Sequence, residues 1–404
     1  MTTTEGHARQ STRFLLLYSL AAAGGAVAYV PFLTVLLPVR ITAMAGGEAD
    51  VGALAYITLA GALAASGANI LFGWLSDITG HRSGWVIAGL MLSSALLVSM
   101  PLANSFPLLA AMIVLWQLGL NMMLAPLAAC AGDCVPDEQK GTLGGLLAFA
   151  PALGAASGAL VTIPGLAGPE VRLWMVAGLV ALMVLPAILA GKPVPMPRLM
   201  EDEPVRADPA RPQGLKSRAA VIRMWIARLL VQIAEAALFA YLLFWFTGID
   251  AAIRDSDTAR IFAVVLGLAV PLAIVVGRWS DRHARPILPL AACAVLTAAG
   301  LGMMALAQDL VAAIAGYVLF GLAASVFLSL HTGQTLRVLP RARHRGRDLG
   351  LFNLTNTVPS LIMPWLALKL VPVFGFEGLF WLLAALALLA AALLASLART
   401  FRAS

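Results

Sequence analysis

"GWLSDITGHR", residues 73–82, sets two glycines, an aspartate and an arginine between two long apolar runs. It is matched by "GRWSDRHAR" at 277–285, so Gly73 and Asp77 recur as Gly277 and Asp281, each 204 positions later in a chain of 404 residues. A polar break repeated at half the chain length points to an internal duplication. A second pair of stretches supports it. "VPDEQKGTLGGL" (135–146) resembles "LPRARHRGRDLGL" (339–351), with Pro136 and Pro340 at the same offset. One inserted residue later, Lys140-Gly141 matches Arg345-Gly346 and Gly145 matches Gly350.

The runs around these breaks define the class. Hydrophobic residues make up 61% of the chain and charged residues 12%, against roughly 45–50% and about 25% in soluble domains. This is the composition of a membrane protein. A hydrocarbon core of about 30 Å needs about 20 helical residues, and twelve stretches qualify: approximately 14–38, 51–74, 84–103, 106–131, 142–163, 171–191, 219–247, 258–277, 286–307, 310–336, 348–371 and 377–398. The first is longer than a signal-peptide core and has no small-residue cleavage site after it, so it reads as a span. The longest polar segment, 192–218, is rich in Pro and mixed charge and reads as a flexible linker. The expected fold is therefore all-α and integral to the membrane, with twelve transmembrane helices. They form an N-terminal half (1–191) and a C-terminal half (219–404), six helices each, joined by a cytoplasmic linker.

The net charge of +7 is a topology signal. With twelve spans, the termini and the even-to-odd loops lie on one side and hold 21 of the 27 Lys and Arg residues. The other side holds Arg40, Arg172, Arg254, Arg260 and Lys369, and Arg228 lies within a span. By the positive-inside rule both termini are cytoplasmic, and no nucleic-acid partner is needed to explain the charge. The expected location is a bacterial-type cytoplasmic (inner) membrane, crossed many times. Cys130, Cys134 and Cys293 read as reduced structural thiols. No phosphate-cradling Gly-Lys-Ser/Thr loop, zinc-binding His/Glu helix or nucleophile elbow occurs. An enzyme is not expected, nor a cofactor or a metal.

Taken together, the polar repeat, the twelve spans and the central linker resemble the major facilitator superfamily over the whole chain. "GWLSDITGHR" is similar to that family's G-x-L-x-D-x-x-G-x-R loop motif at Gly73, Leu75, Asp77, Gly80 and Arg82. The second copy keeps Gly277, Asp281, Arg282 and Arg285, with Trp279 and Ala284 replacing Leu and Gly. The residues themselves suit a close helix approach and a tight turn. Asp77 can pair with Arg82 or sit against the N-terminus of a neighbouring helix, where the dipole favours an anion. The resemblance implies a gate that favours the outward-open state. Within the family, "DCVPDEQKG", "LPRARHRG" and "LGLFNLTNTVPSLIMP" are similar to patterns in sucrose-type and glycoside–pentoside–hexuronide symporters. Drug/proton antiporters usually carry a basic residue in helix four and a Gly-Pro-rich helix five, whereas here those helices read "VLWQLGLNMMLAP" and "APALGAASG".

Charged groups inside spans are costly and mark function. Helix seven, "RLLVQIAEAALFAYLLFWF", carries Arg228, Gln232 and Glu235 at spacings of four and three, hence on one face. Glu235 is the candidate proton carrier, loading and releasing a proton as its surroundings change. Arg228 is a candidate for binding an anionic substrate or holding Glu235 charged. A buried network that locks helix seven to its neighbours is the alternative. Further candidates for a substrate cavity are Tyr29, Tyr56, Asn69, Gln117 and Asn121, with His331, Asn353, Asn356 and Trp365. Amides and hydroxyls with aromatics suit a sugar-like solute, and they also serve as interhelical glue. His331 lies towards the cytoplasmic end of its span and reads more simply as a packing histidine.

The reading is a secondary transporter working by alternating access. It is expected to take up a small polar solute of sugar-like chemistry, using protons as the coupling ion and acting as a monomer in the lipid bilayer. The alternatives are a drug or metabolite/proton exporter and, in another class, a non-transporting membrane assembly or pigment-delivery factor on the same fold.

Overall fold

The computed structural model describes residues 9–45, 51–199, 217–253, 255–339 and 342–402. Most of the expected linker, 200–216, lies outside them, as does Arg254. Every regular element among the described residues is helical. We number the helices α1 (Thr12–Met44), α2 (Val51–Thr79), α3 (Arg82–Ser99), α4 (Phe106–Cys134), α5 in two pieces (Lys140–Leu147 and Phe149–Val161), α6 (Pro169–Ala190), α7 (Arg218–Ile249), α8 (Asp255–Arg282), α9 (Leu288–Ala305) and α10 (Leu310–Val338).

One helical run, Arg345–Arg402, then completes the chain and is interrupted at Gly375, whose φ is 65°. A residue without a Cβ adopts that left-handed value at little cost, so α11 (345–374) meets α12 (376–402) at a single residue. The loop expected between the last two spans is reduced to this glycine. Within α1, a π-helical turn at Phe32–Leu36 lies between Pro31 and Pro38, which lack the N–H that a regular ladder requires.

The helices form because Leu and Ala dominate them and because polar caps start several. Ser11, Ser217 and Asp309 accept hydrogen bonds from the backbone N–H of Phe14, Ala220 and Ala312, removing orphan donors at each N-terminus. Ten helical stretches among the described residues have the length and apolarity to cross a membrane. The tenth, Lys369–Ala398, runs from the end of α11 through Gly375 into α12; α7 carries Arg228, Gln232 and Glu235, and α11 carries Asn353 and Asn356.

The chain divides into two compact units. Unit 1 comprises Met1–Pro136, Phe149–Asp202 and Arg341–Asn353. In it α4 packs on α2 and α3, while α1 packs on α6 and the second piece of α5. Its core holds the fully buried Trp116 edge-on to Phe32, with centroids 4.9 Å apart. Gln10 is also buried; its Nε2 donates to the carbonyls of Cys134 and Val194, and its Oε1 accepts from the Val194 N–H.

Unit 2 comprises Asp137–Ala148, Glu203–Pro340 and Leu354–Ser404. There α10 packs on α9 and α8, and the first piece of α5 lies against both α8 and α10. Trp245 meets Phe380 edge-on at 4.9 Å and Phe246 meets Tyr317 at 6.0 Å in an aromatic core. Unit 1 thus takes in the start of α11, and unit 2 the start of α5.

Candidate functional site

In unit 1 the first polar stretch folds into an anion cradle. The end of α2 brings Gly73 against Gly346 so closely that a Cβ on either would overlap the other's carbonyl. That approach puts Asp77 under the first turn of α11, where the N–H groups of Gly346 and Arg347 have no partner within their own helix. Both donate to the carboxylate, at 2.9 Å to Oδ1 and 3.0 Å to Oδ2. Arg82, at the start of α3, pairs with Asp77 at 2.7 Å and with Asp133 of α4 at 3.0 Å. Arg345 closes the chain on Asp133 at 2.6 Å and donates a further bond to the Leu199 carbonyl. Asp77 therefore does both things its sequence context suggests, and its side chain is 1% exposed.

Unit 2 holds a second cradle built from the second copy. Gly277 meets Gly141 as Gly73 meets Gly346. Asp281 accepts from the N–H groups of Gly141 (2.9 Å) and Thr142 (2.6 Å), from Thr142 Oγ1 (2.7 Å) and from Arg337 Nη2 (2.9 Å). The cation here is Arg337 of α10, whereas Arg282 and Arg285 are exposed. The register explains the change. Gly80 and Ala284 share a left-handed backbone, with φ of 66° and 49°, so the position matching Arg82 is Pro286 and Arg285 falls one residue short.

The stripe on α7 splits into two parts. Arg228 donates to Thr355 Oγ1 (3.1 Å) and Asn356 Oδ1 (3.4 Å) on α11, and to Thr332 Oγ1 (3.1 Å) and the Leu328 carbonyl (3.3 Å) on α10. Gln232 Nε2 donates to Glu235 Oε2 at 3.0 Å. No ion pair joins Arg228 to Glu235 among the described residues. The guanidinium is committed to oxygen acceptors across α10 and α11, and the carboxylate is bonded to a neutral amide.

The remaining candidates separate by burial. Asn69 Nδ2 donates to Asn121 Oδ1 at 2.9 Å, and Asn121 Nδ2 donates to the Gln117 carbonyl at 2.9 Å, so this amide set ties α2 to α4 inside unit 1. His331 is fully buried, with Nε2 donating to the Met224 carbonyl at 3.0 Å and Nδ1 3.1 Å from Thr335 Oγ1. Tyr29, Tyr56 and Trp365 are exposed, and Asn353 is half-buried. Among the described residues no cluster of His, Cys, Asp and Glu could hold a metal ion.

The model of the Major Facilitator Superfamily matches residues 14–254 and 253–402. The chain belongs to this superfamily. An uncharacterized MFS-type transporter of Mycobacterium tuberculosis is 26% identical over 357 residues, covering 84% of this chain and 82% of the relative. The fold is shared with three solved structures at 15–16% identity. A bacterial homologue of the iron transporter ferroportin, in an outward-facing state, has a TM-score of 0.74 and covers 96% of this chain and 98% of its own. The human organic anion transporter MFSD10 has a TM-score of 0.69 (95% and 99%), and the Escherichia coli fucose:proton symporter one of 0.70 (95% and 98%). The chain is thus a multi-pass membrane protein of a non-enzymatic transporter family, with that family's twelve-helix fold.

Several residues of this superfamily member escape the sequence reading. Asp133 lies just past the apolar core of α4, outside the span interiors where intramembrane charge is sought, yet it bridges Arg82 and Arg345. Arg337 reads as one more topogenic arginine until α10 carries it to Asp281. The second matched pair of stretches marks the backbone donors of Asp281 and Asp77, at Gly141-Thr142 and Gly346-Arg347, but no local signal marks Asp133 or Arg337.

Proposed function

We propose that the chain is a proton-coupled secondary transporter working by alternating access, with Glu235 as its proton-carrying acid. The observation that supports this is the separation of the α7 stripe. An arginine paired directly with a carboxylate would hold it ionised; here Arg228 is engaged by four oxygens on α10 and α11, and the hydrogen-bond partner of Glu235 among the described residues is the Gln232 amide. Arg228 then anchors α7. The two aspartate cradles act as the gate: each holds a helix N-terminus by its free N–H groups and releases it when the carrier changes state. The fucose:proton symporter is a precedent for proton coupling on this fold. The membrane is the cytoplasmic one, with both termini inside and the chain acting as a monomer.

The test is transport by purified protein in liposomes under an imposed proton gradient. Glu235→Gln is expected to abolish gradient-driven accumulation while solute exchange at equal pH continues. Accumulation at the wild-type rate in that variant overturns the assignment. Solute movement by the wild type also removes the reading of a non-transporting assembly factor.

The solute is a small polar one taken up by the carrier; one observation favours a second reading, export of a more apolar solute. Asn69 Nδ2 is bonded to Asn121 Oδ1 and Asn121 Nδ2 to the Gln117 backbone carbonyl, so the Asn69 and Asn121 amide donors are tied up between α2 and α4 rather than offered to a sugar. Accumulation of sugars inside inverted and right-side-out vesicles, compared with that of hydrophobic cations, separates the two directions.

A further inference from the structure

The second polar stretch contains more cations than its cradle uses. Arg337 supplies the charge at Asp281, which leaves Arg278, Arg282 and Arg285 exposed, without an ion pair or side-chain hydrogen bond among the described residues. They sit on a fixed platform. The Arg285 N–H donates to the Ser280 carbonyl at 3.1 Å and Ser280 Oγ donates back to the Arg285 carbonyl at 3.2 Å, with Ser280 buried and Ala284 in its left-handed turn. Trp279 is 38% exposed and stacks on His283 with centroids 4.7 Å apart and planes 29° apart. The run before it, "IFAVVLGLAVPLAIVVG", is apolar to Gly277, so the platform lies where hydrocarbon gives way to head groups. At the matching positions of the first copy stand Trp74, Ile78 and His81, and Arg82 is spent inside its cradle.

We infer that the end of α8 is a docking surface for the phosphate of an anionic glycerophospholipid, gripped by Arg278, Arg282 and Arg285 beside the Trp279 ring. Arginine forks match phosphate oxygens, tryptophan settles at the interface, and a surface cation attracts anionic lipid by about fivefold per residue. A zwitterionic head group offers no net charge to this platform. A purely topogenic role needs the same charges and no lipid selectivity, so selectivity is the quantity to measure.

The experiment uses the full chain in nanodiscs with brominated lipids, which quench nearby tryptophans. Brominated phosphatidylglycerol is expected to quench more than brominated phosphatidylcholine, and the excess to vanish in Trp279→Phe. The triple variant Arg278→Gln/Arg282→Gln/Arg285→Gln is expected to lose at least about fivefold in selectivity, the share of one interfacial cation. Equal quenching by the two lipids in the wild type overturns the inference, whatever the variants do. So does an excess that survives in Trp279→Phe, or one that soluble glycerol phosphate relieves, since the ligand would then be a free phosphate ester.

Discussion

Asp133 is the residue on which the unit 1 cradle turns, because two arginines share its carboxylate and neither is well exposed to water. Removing one partner of a buried pair leaves an uncompensated charge, which costs about 3–5 kcal/mol. Asp133→Asn is expected to lower the unfolding free energy by that order. Adding Arg345→Met should recover part of it, as a thermal-denaturation double-mutant cycle would read; additive losses would show that Asp133 and Arg345 are not coupled. The sequence makes Asp77 and its two options legible because the side-chain type and the helix-end context lie within ten residues. It does not reveal Arg337 or Asp133, since a partner brought in by another helix leaves no local pattern. Arg285 illustrates the reverse error: it looks like the counterpart of Arg82, but the turn at Ala284 counts one residue further.

At the level of elements, the starts of α5 and α11 are helix ends completed from outside. Their first free N–H groups are satisfied by aspartates 140 and 269 residues away in the chain, and close glycine contacts hold them in place. A Cβ on Gly350 would meet the Ile70 backbone at 2.6 Å. Gly350→Leu should therefore push α11 off α2 and free the Gly346 and Arg347 amides, seen as hydrogen exchange faster by at least about tenfold, the change expected from losing about 1.4 kcal/mol of local stability. Unchanged exchange would show that the contact does not hold the cradle. Helix existence is readable from apolar length alone. The Gly375 junction is not, because a hairpin connection of one residue looks like any other glycine in a greasy run.

For the molecule as a whole, the two matched stretches carry the duplication, and the superfamily assignment agrees with it. Each compact unit includes a piece from the other half of the sequence, 341–353 in unit 1 and 137–148 in unit 2. Residues 1–199 and 217–404 expressed separately are each expected to be unstable and degraded, and co-expression should restore both to most of the intact protein's level on a membrane immunoblot. A half that accumulates alone at the intact level would argue against this. The substrate is the least legible feature. Polar side chains within membrane helices look alike in sequence whether they face a solute or each other, and Asn69 and Asn121 face each other.

The bond between Asp77 and Gly346 also sets a schedule for biosynthesis. Gly346 follows Asp77 by 269 residues, so at about 5–20 residues per second the aspartate waits roughly 15–50 s for its backbone donors. For nearly all of that interval Arg82 is already made and can hold the nascent charge, whereas Asp281 emerges long after Gly141 and Thr142 and finds its donors waiting. The first repeat therefore depends on an early chaperone of its own making, and a ribosome stalled between the two halves would strand it half-assembled in the bilayer.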